Sequence, residues 1–169
     1  MVFYHMNWLN YASICLLFWQ LSNYIFKLFL SCLDKLDRKR IIKDRIDNED
    51  YLERYYLFLK NRETFPFNIF LHKFLKSDDE ELHDHPWNFT TVILRGGYWE
   101  HTENGKSWYG PGTVLHKKAT DLHRLELDPN VPDTWTLFIP GKRCRKWGFQ
   151  TVKGWIEEKD YLEERKKNK

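Results

Sequence analysis

Apolar positions run through the chain in two textures. From Val2 to Leu30 there is no acidic residue and, His5 apart, a single base, Lys27. The run Trp8 to Phe26 predicts a helix long enough to cross a hydrocarbon core of roughly 30 Å. Asn10, Ser13, Gln20, Ser22 and Asn23 interrupt it, and several of them gather with Lys27 on one broad side of a helical wheel. A helix lying in the membrane interface, or packing on a partner, is therefore the alternative to a span, and a third reading has it cover the domain's own surface. No basic segment precedes the apolar run and no small-residue cleavage site is clear, which argues against a cleaved leader. If the helix spans, the bases Lys35, Arg38, Lys39, Arg40, Lys43 and Arg45 that follow it place the remaining chain in the cytoplasm; if it packs on the domain, the protein is simply cytoplasmic.

Residues Asp34 to Asp50 carry both charge signs, with Leu36, Ile41, Ile42 and Ile46 at helical spacing, and predict a solvated amphipathic helix. From Phe65 the period shortens. The runs Phe67 to Phe74, Leu82 to Leu94, Trp108 to Leu115, His123 to Leu127 and Thr134 to Ile139 are rich in β-branched and aromatic residues, and turn signals such as Gly96-Gly97, Gly105, Pro111-Gly112 and Pro140-Gly141 punctuate the region. Many short strands with regular turns predict a sandwich or barrel. The division that follows is a hydrophobic N-terminal helix over 1–33, a charged helical linker over 34–64, a β domain over 65–156, and a charged tail over 157–169 read as a solvated helix.

Composition narrows the function classes. The chain has 169 residues, enough for one domain with a core, and its aromatic content of 17% fits a packed β-rich body. A net charge of +3, with bases dispersed among acids, leaves no nucleic-acid footprint. Cys15, Cys32 and Cys144 are odd in number and far apart, as expected of reduced thiols.

The chemistry-bearing residues are histidines. His83 and His85 sit two apart in a strand-like run, so both rings can point to one face while Asp84 points away; His123 follows about a hairpin later. Gly96 or Gly97 follows the pair, and Gly112 precedes His123 by eleven residues. These positions resemble the two motifs of the cupin superfamily, G-x5-H-x-H-x3,4-E-x6-G and G-x5-P-x-G-x2-H-x3-N. Ser77 replaces the opening Gly, Phe89 or Thr90 occupies the Glu position, and Lys118, Thr120 and Leu127 replace the Pro, second Gly and Asn. The resemblance covers about residues 65–150 and implies a mainly β jelly roll, the double-stranded β-helix barrel, with an N-terminal helical extension. The segments Tyr51-Leu52-Glu53-Arg54-Tyr55, His83-Asp84-His85-Pro86-Trp87, Arg95-Gly96-Gly97-Tyr98 and Trp147-Gly148-Phe149 also look like those of small single-cupin proteins of phages and large viruses.

The resemblance implies a divalent metal on His83, His85 and His123. Neutral imidazoles suit Fe, Zn, Ni or Cu. Fe(II) is the first expectation, with Zn, Ni, Mn or Cu as other ions, because the thiol dioxygenases are similar in using three-His iron in a cupin barrel. An Fe(II)-dependent oxygenase acting on a small molecule is the first functional reading. The alternatives are a metal-dependent isomerase or hydrolase of a sugar-like substrate, a non-catalytic cupin binding module, or a barrel that keeps its histidines for packing. Asn88 and Glu100 are further oxygen ligands if a bulge shifts the strand. Trp87 and Phe89 would wall the pocket or fill core, and Tyr98 would donate a hydrogen bond or cap a turn. Lys142, Arg143, Arg145 and Lys146 would bind an anion or form a solvated loop. His72, His101 and His116 read as hydrogen-bonded structural residues, Arg124 as a surface ion pair, and Cys144 as an ordinary thiol. Barrels of this kind can pair, so a homodimer is a further expectation.

Overall fold

The computed structural model describes residues 8–62 and 64–167, with side chains from Ala12 onward. The start of the helical extension, His5 included, and the last two residues of the tail lie outside the described residues. The chain divides into two units, Met1–Arg38 and Lys39–Lys169.

The first unit is one helix, α1 (Trp8–Lys35). Most of its described apolar side chains are exposed, Leu17 at 63% and Phe18 at 68% among them, while Leu33 near its end is buried. The stretch Ala12–Lys35 is long and apolar enough to cross a membrane by length and composition. The helix stops where Asp37 turns left-handed, with φ +54°. Arg38 N then donates to Leu33 O at 2.8 Å and Asp37 N to Asp34 O at 2.9 Å, the two closing bonds of a Schellman turn with Asp in the place usually taken by Gly.

The second unit begins with strands where a helix was expected. β1 (Lys39–Lys43) and β2 (Asp50–Tyr56) pair as an antiparallel hairpin, so the charged helical linker over 34–64 is not observed. Asp44 explains the outcome: its Oδ1 accepts from Ile46 N at 2.7 Å and Asp47 N at 3.2 Å, and Asn48 takes φ +64°. Side-chain capture of the backbone favours a turn over a helix interior. The isoleucines that looked helical instead alternate in burial, Ile42 inward and Ile41 outward.

The main sheet is antiparallel with strand order β1, β2, β3 (Phe70–Phe74), β10 (Thr134–Pro140), β5 (Phe89–Arg95), β8 (Val114–Lys117). Two three-stranded sheets complete the unit: β12 (Gly154–Glu157), β11 (Gly148–Thr151), β4 (Leu82–His83), and β7 (Gly105–Tyr109), β6 (Tyr98–Thr102), β9 (Arg124–Glu126). The expected strand over Leu82 to Leu94 breaks between β4 and β5, around Pro86, which has no N–H to give a ladder. The run Trp108 to Leu115 likewise splits at Pro111-Gly112 into β7 and β8, in different sheets.

Ile93, Tyr98 and Leu125 form a buried cluster with Phe74, Tyr109, Leu115 and Leu127 against it. At the turn from β5 to β6, Gly96 has φ +73° and a Cβ there would stand 2.1 Å from Asp133 O, so no other residue fits. The tail forms α2 (Glu158–Lys167), anchored by buried Tyr161 stacked on Phe149 with centroids 4.0 Å apart.

Candidate metal centre

Three separate segments bring the histidines together. His83, the last residue of β4, exchanges both backbone hydrogen bonds with His123 at 2.8 and 2.9 Å. His85 lies past the strand, its N–H donated to Ala119 O at 3.0 Å. Between them Asp84 points the other way, as expected, and is only 2% exposed. Its carboxylate accepts from Gly148 N at 2.7 Å and Trp155 Nε1 at 3.0 Å and pairs with Arg145. The anchored Asp84 thus fixes both neighbouring rings where the strand itself has ended.

The ring centroids are 5.1 Å apart for His83 and His85, 5.1 Å for His83 and His123, and 5.0 Å for His85 and His123. One nitrogen from each ring lies within 4.8 Å of the other two, and His85 Nε2 is 2.8 Å from His123 Nε2. Metal–nitrogen bonds of about 2.0–2.1 Å put ligand nitrogens roughly 3 Å apart around one ion, so small ring rotations suffice to fit one.

The hydrogen bonds suit ligation. His123 Nδ1 lies 2.7 Å from Glu100 Oε1, and an Nδ1–H donated to that carboxylate directs Nε2 to the cluster as the ligating atom. Glu100 is 2% exposed, and its other oxygen accepts from Lys117 Nζ at 2.6 Å. Burial pushes the Glu100 carboxyl up, but the hydrogen bonds from His123 and Lys117 outweigh it and hold the group below its ordinary range. Burial pushes His83 down to about 4 against the pull of Asp78, and burial with the His123 and His83 charges holds His85 well below its usual value. Both rings are neutral near pH 7, the ligating form.

No carboxylate joins the three rings among the described residues. Phe89, at the position where the cupin motif has Glu, packs its ring 4.7 Å from His85 and 5.8 Å from His123. Thr90 Oγ1 meets His116 Nδ1 at 2.9 Å instead. Asn88 Oδ1 accepts from Ala119 N at 2.7 Å, so it holds the loop, and Glu100 stands behind His123 with both oxygens engaged. A divalent ion on three neutral ligands would keep its full charge.

The histidines open onto a cavity of about 460 Å³, whose lining includes Phe89, Tyr98, Thr136 and Phe149, within the size range of small-molecule sites. Trp87 also lines it, and Trp87 Nε1 is buried with no hydrogen-bond partner. In the basic loop Arg145 pairs with Asp84 and Lys146 Nζ with Glu157 at 2.6 Å, while Lys142 and Arg143 are exposed. His101 Nε2 meets Glu126 at 2.7 Å, Arg124 Nη2 is 3.3 Å from His101 Nδ1, and Cys144 is an exposed free thiol. His72, read as structural, is buried but also lines the cavity, as does Arg54. Arg54 was not visible as a site residue because β2 itself was not, and His72, on the expected strand β3, carried no signal that its face borders a cavity. Glu100 had a signal: it is the inward-phase charge in the Tyr98–Thr102 strand.

No family model matches the sequence, and no curated protein matches it significantly. Solved structures do resemble the fold. A cupin-2 domain from Rhodospirillum rubrum aligns with TM-score 0.54 and 15% identity over 69% of this chain and 76% of that one. An RmlC-like cupin protein from Ralstonia eutropha JMP134 aligns with TM-score 0.50 and 15% identity over 81% and 85%. The iron(II) form of HppE aligns with TM-score 0.49 and 14% identity over 62% of this chain, which spans only 57% of that protein's length; likeness at that level carries no chemistry across. The fold is mainly β and cupin-like, as the motif resemblance implied.

Proposed function

We propose that the protein is a metal-dependent cupin enzyme, an Fe(II)-dependent oxygenase acting on a small molecule, with His83, His85 and His123 as the metal ligands. The observation that carries this reading is the convergence of three imidazoles on a cavity of about 460 Å³, with Glu100 hydrogen-bonded to His123 from behind. A three-ligand set leaves coordination positions for substrate, whereas a closed structural site would need a fourth protein ligand. A bound ferrous ion would supply Lewis acidity and electron transfer. The chain's own part is to hold and shelter. Phe89, Trp147 and Phe149 restrict water around the rings, and Asp84 and Glu100 lock ligand orientation. The segment around His83 and His85 supports kinship with small single-cupin proteins of phages and large viruses.

Metal analysis of tag-free protein, followed by nitric oxide binding to the ferrous form, tests the reading. Stoichiometric iron that gives a nitrosyl signal supports it. Wild-type protein that takes up no metal, or a His85→Ala variant with unchanged metal content, overturns it. Iron replaced by tightly held zinc, with no nitrosyl signal, would favour the isomerase or hydrolase reading.

The same proposal includes a membrane tether through α1, with the cupin domain on the cytoplasmic side. Its exposed apolar surface supports this, and Asn23 Nδ2 donates to Trp19 O at 2.9 Å, so that polar side chain is satisfied within the helix. Release of the full-length protein by carbonate extraction of membranes would remove the tether.

A further inference from the structure

The cavity has a second polar region that the histidines do not explain. Arg40, Arg54, His72 and Thr136 are direct register partners across β1, β2, β3 and β10, so they stand in one row on one face of the main sheet, and all four line the cavity. On the opposite face of the same strands the charges alternate in sign and pair: Lys39 with Glu53 at 3.2 Å and Lys73 with Asp133 at 3.1 Å. The inner row has two guanidinium groups directly opposite one another and, among the described residues, no carboxylate paired with either. Like charges at facing positions repel, and a desolvated charge is costly unless paired.

Arg54 is also held in place. Its guanidinium lies on the Phe70 ring, 4.6 Å from the centroid, and its Nε donates to His72 Nε2 at 2.9 Å. His72 is 3% exposed and stacked between Phe70 and Phe138, with centroids at 5.8 and 5.1 Å. A further N–H bonds the Tyr56 side chain, and a fork fixed at His72 and Tyr56 presents its remaining N–H groups to an anion at low entropic cost. Most of the other charges around the cavity are engaged. Arg45 pairs with Glu158, Lys43 with Asp50 and Asp44 with Lys76. Asp78 accepts from Tyr51 Oη and Leu125 N, and Glu100 from His123 and Lys117, while burial and Asp44 raise the Asp79 carboxyl against the pull of Arg165 and Lys76.

We infer that Arg54, with Arg40 at the rim, seats an anionic group, a carboxylate or a phosphate, of the molecule that occupies the cavity. The substrate is then a small organic acid or phosphate ester, a specification that rests on the metal-enzyme reading; the anion seat itself does not need the metal. A ligand held there shares its cavity with the three imidazoles.

The test is calorimetric titration of metal-stripped, full-length protein with inorganic phosphate, succinate and, as a neutral control, 1,4-butanediol. Wild type should bind one or both anions saturably and the diol not at all, and the stronger anion identifies the group. Arg54→Met should weaken that binding at least tenfold and the exposed Arg40→Gln severalfold, while both variants titrate metal as wild type does. If Arg54→Met does not fold, judged by circular dichroism, Arg40→Glu decides the matter, since reversing the rim charge must weaken anion binding by more than Arg40→Gln does. Anion binding that is absent in wild type, or unchanged in these variants, overturns the inference without touching the metal centre. Wild type that binds anion through Arg54 but takes no metal leaves the seat standing and removes the enzyme reading.

Discussion

Replacing Glu100 by Gln isolates what the carboxylate behind His123 contributes. The substitution keeps shape and one acceptor oxygen but removes the charge, so the new amide must turn its NH2 toward either Lys117 or His123. One of two charge-assisted bonds, at 2.7 and 2.6 Å in the wild type, is lost, each worth roughly 1.5–3 kcal/mol. With the side chain at 2% exposure, little water can compensate. The metal-free protein should therefore lose about 2 kcal/mol of stability, read from denaturant midpoints. Metal affinity should fall about 10- to 100-fold, as expected when the partner orienting a ligating imidazole is removed, read by competition with a chelator for Zn²⁺ and, without oxygen, for Fe²⁺. Glu126→Gln is the control: Glu126 also holds a histidine, His101, at 2.7 Å, but on the face of β6 opposite to Glu100 and outside the cavity lining, and should leave metal affinity unchanged. A folded Glu100→Gln protein that binds metal within twofold of wild type would refute the claim that this carboxylate sets the His123 tautomer for ligation.

Other perturbations probe the scaffold. Asp84→Asn removes the partner of Arg145 from a nearly buried position and should cost about 2–3 kcal/mol, with weaker metal binding because the rings on either side lose their anchor; unchanged melting and affinity would refute the anchoring. Gly96→Ala forces a Cβ to within 2.1 Å of Asp133 O at φ +73° and should cost more than about 2 kcal/mol; a melting temperature equal to wild type would show that the turn relaxes freely. The metal-free protein should lose stability on acidification. His83 takes up a proton near 6.5 when unfolded but only at about 4 when folded. The unfolded state therefore binds more protons as pH falls through 6.5, and the loss continues until about 4. Bound metal should oppose the loss over most of that window, and a flat stability profile from pH 7 to 4.5 would contradict the assignment.

The site was more legible than the strands that frame it. His83, His85 and His123 could be read from spacing because ligands for one ion must recur at fixed offsets, whatever the strand's ends. The convergence arose even though His85 lies outside any strand, since Asp84 replaces the missing ladder. β1 and β2 were hidden for a physical reason. A strand facing a packed core shows apolar residues in its inward phase, but these face a wet cavity and place Arg40 and Arg54 there, so the alternation reads as noise and the spacing of Leu36, Ile41, Ile42 and Ile46 mimics a helix. Asp37 and Asn48, adopting left-handed conformations usually given to Gly, removed the punctuation that would have separated helix from hairpin. Glu100 lay too far along the chain from His123 for any motif to join them.

The anchoring of Asp84 also sets the order in which a nascent chain can acquire its chemistry. Gly148 and Trp155, which donate to that carboxylate, leave the ribosome after His83, His85 and His123 have emerged. Until they arrive the histidine pair lacks that backing, so a product cut short before Gly148 carries all three imidazoles without the anchor that aims two of them.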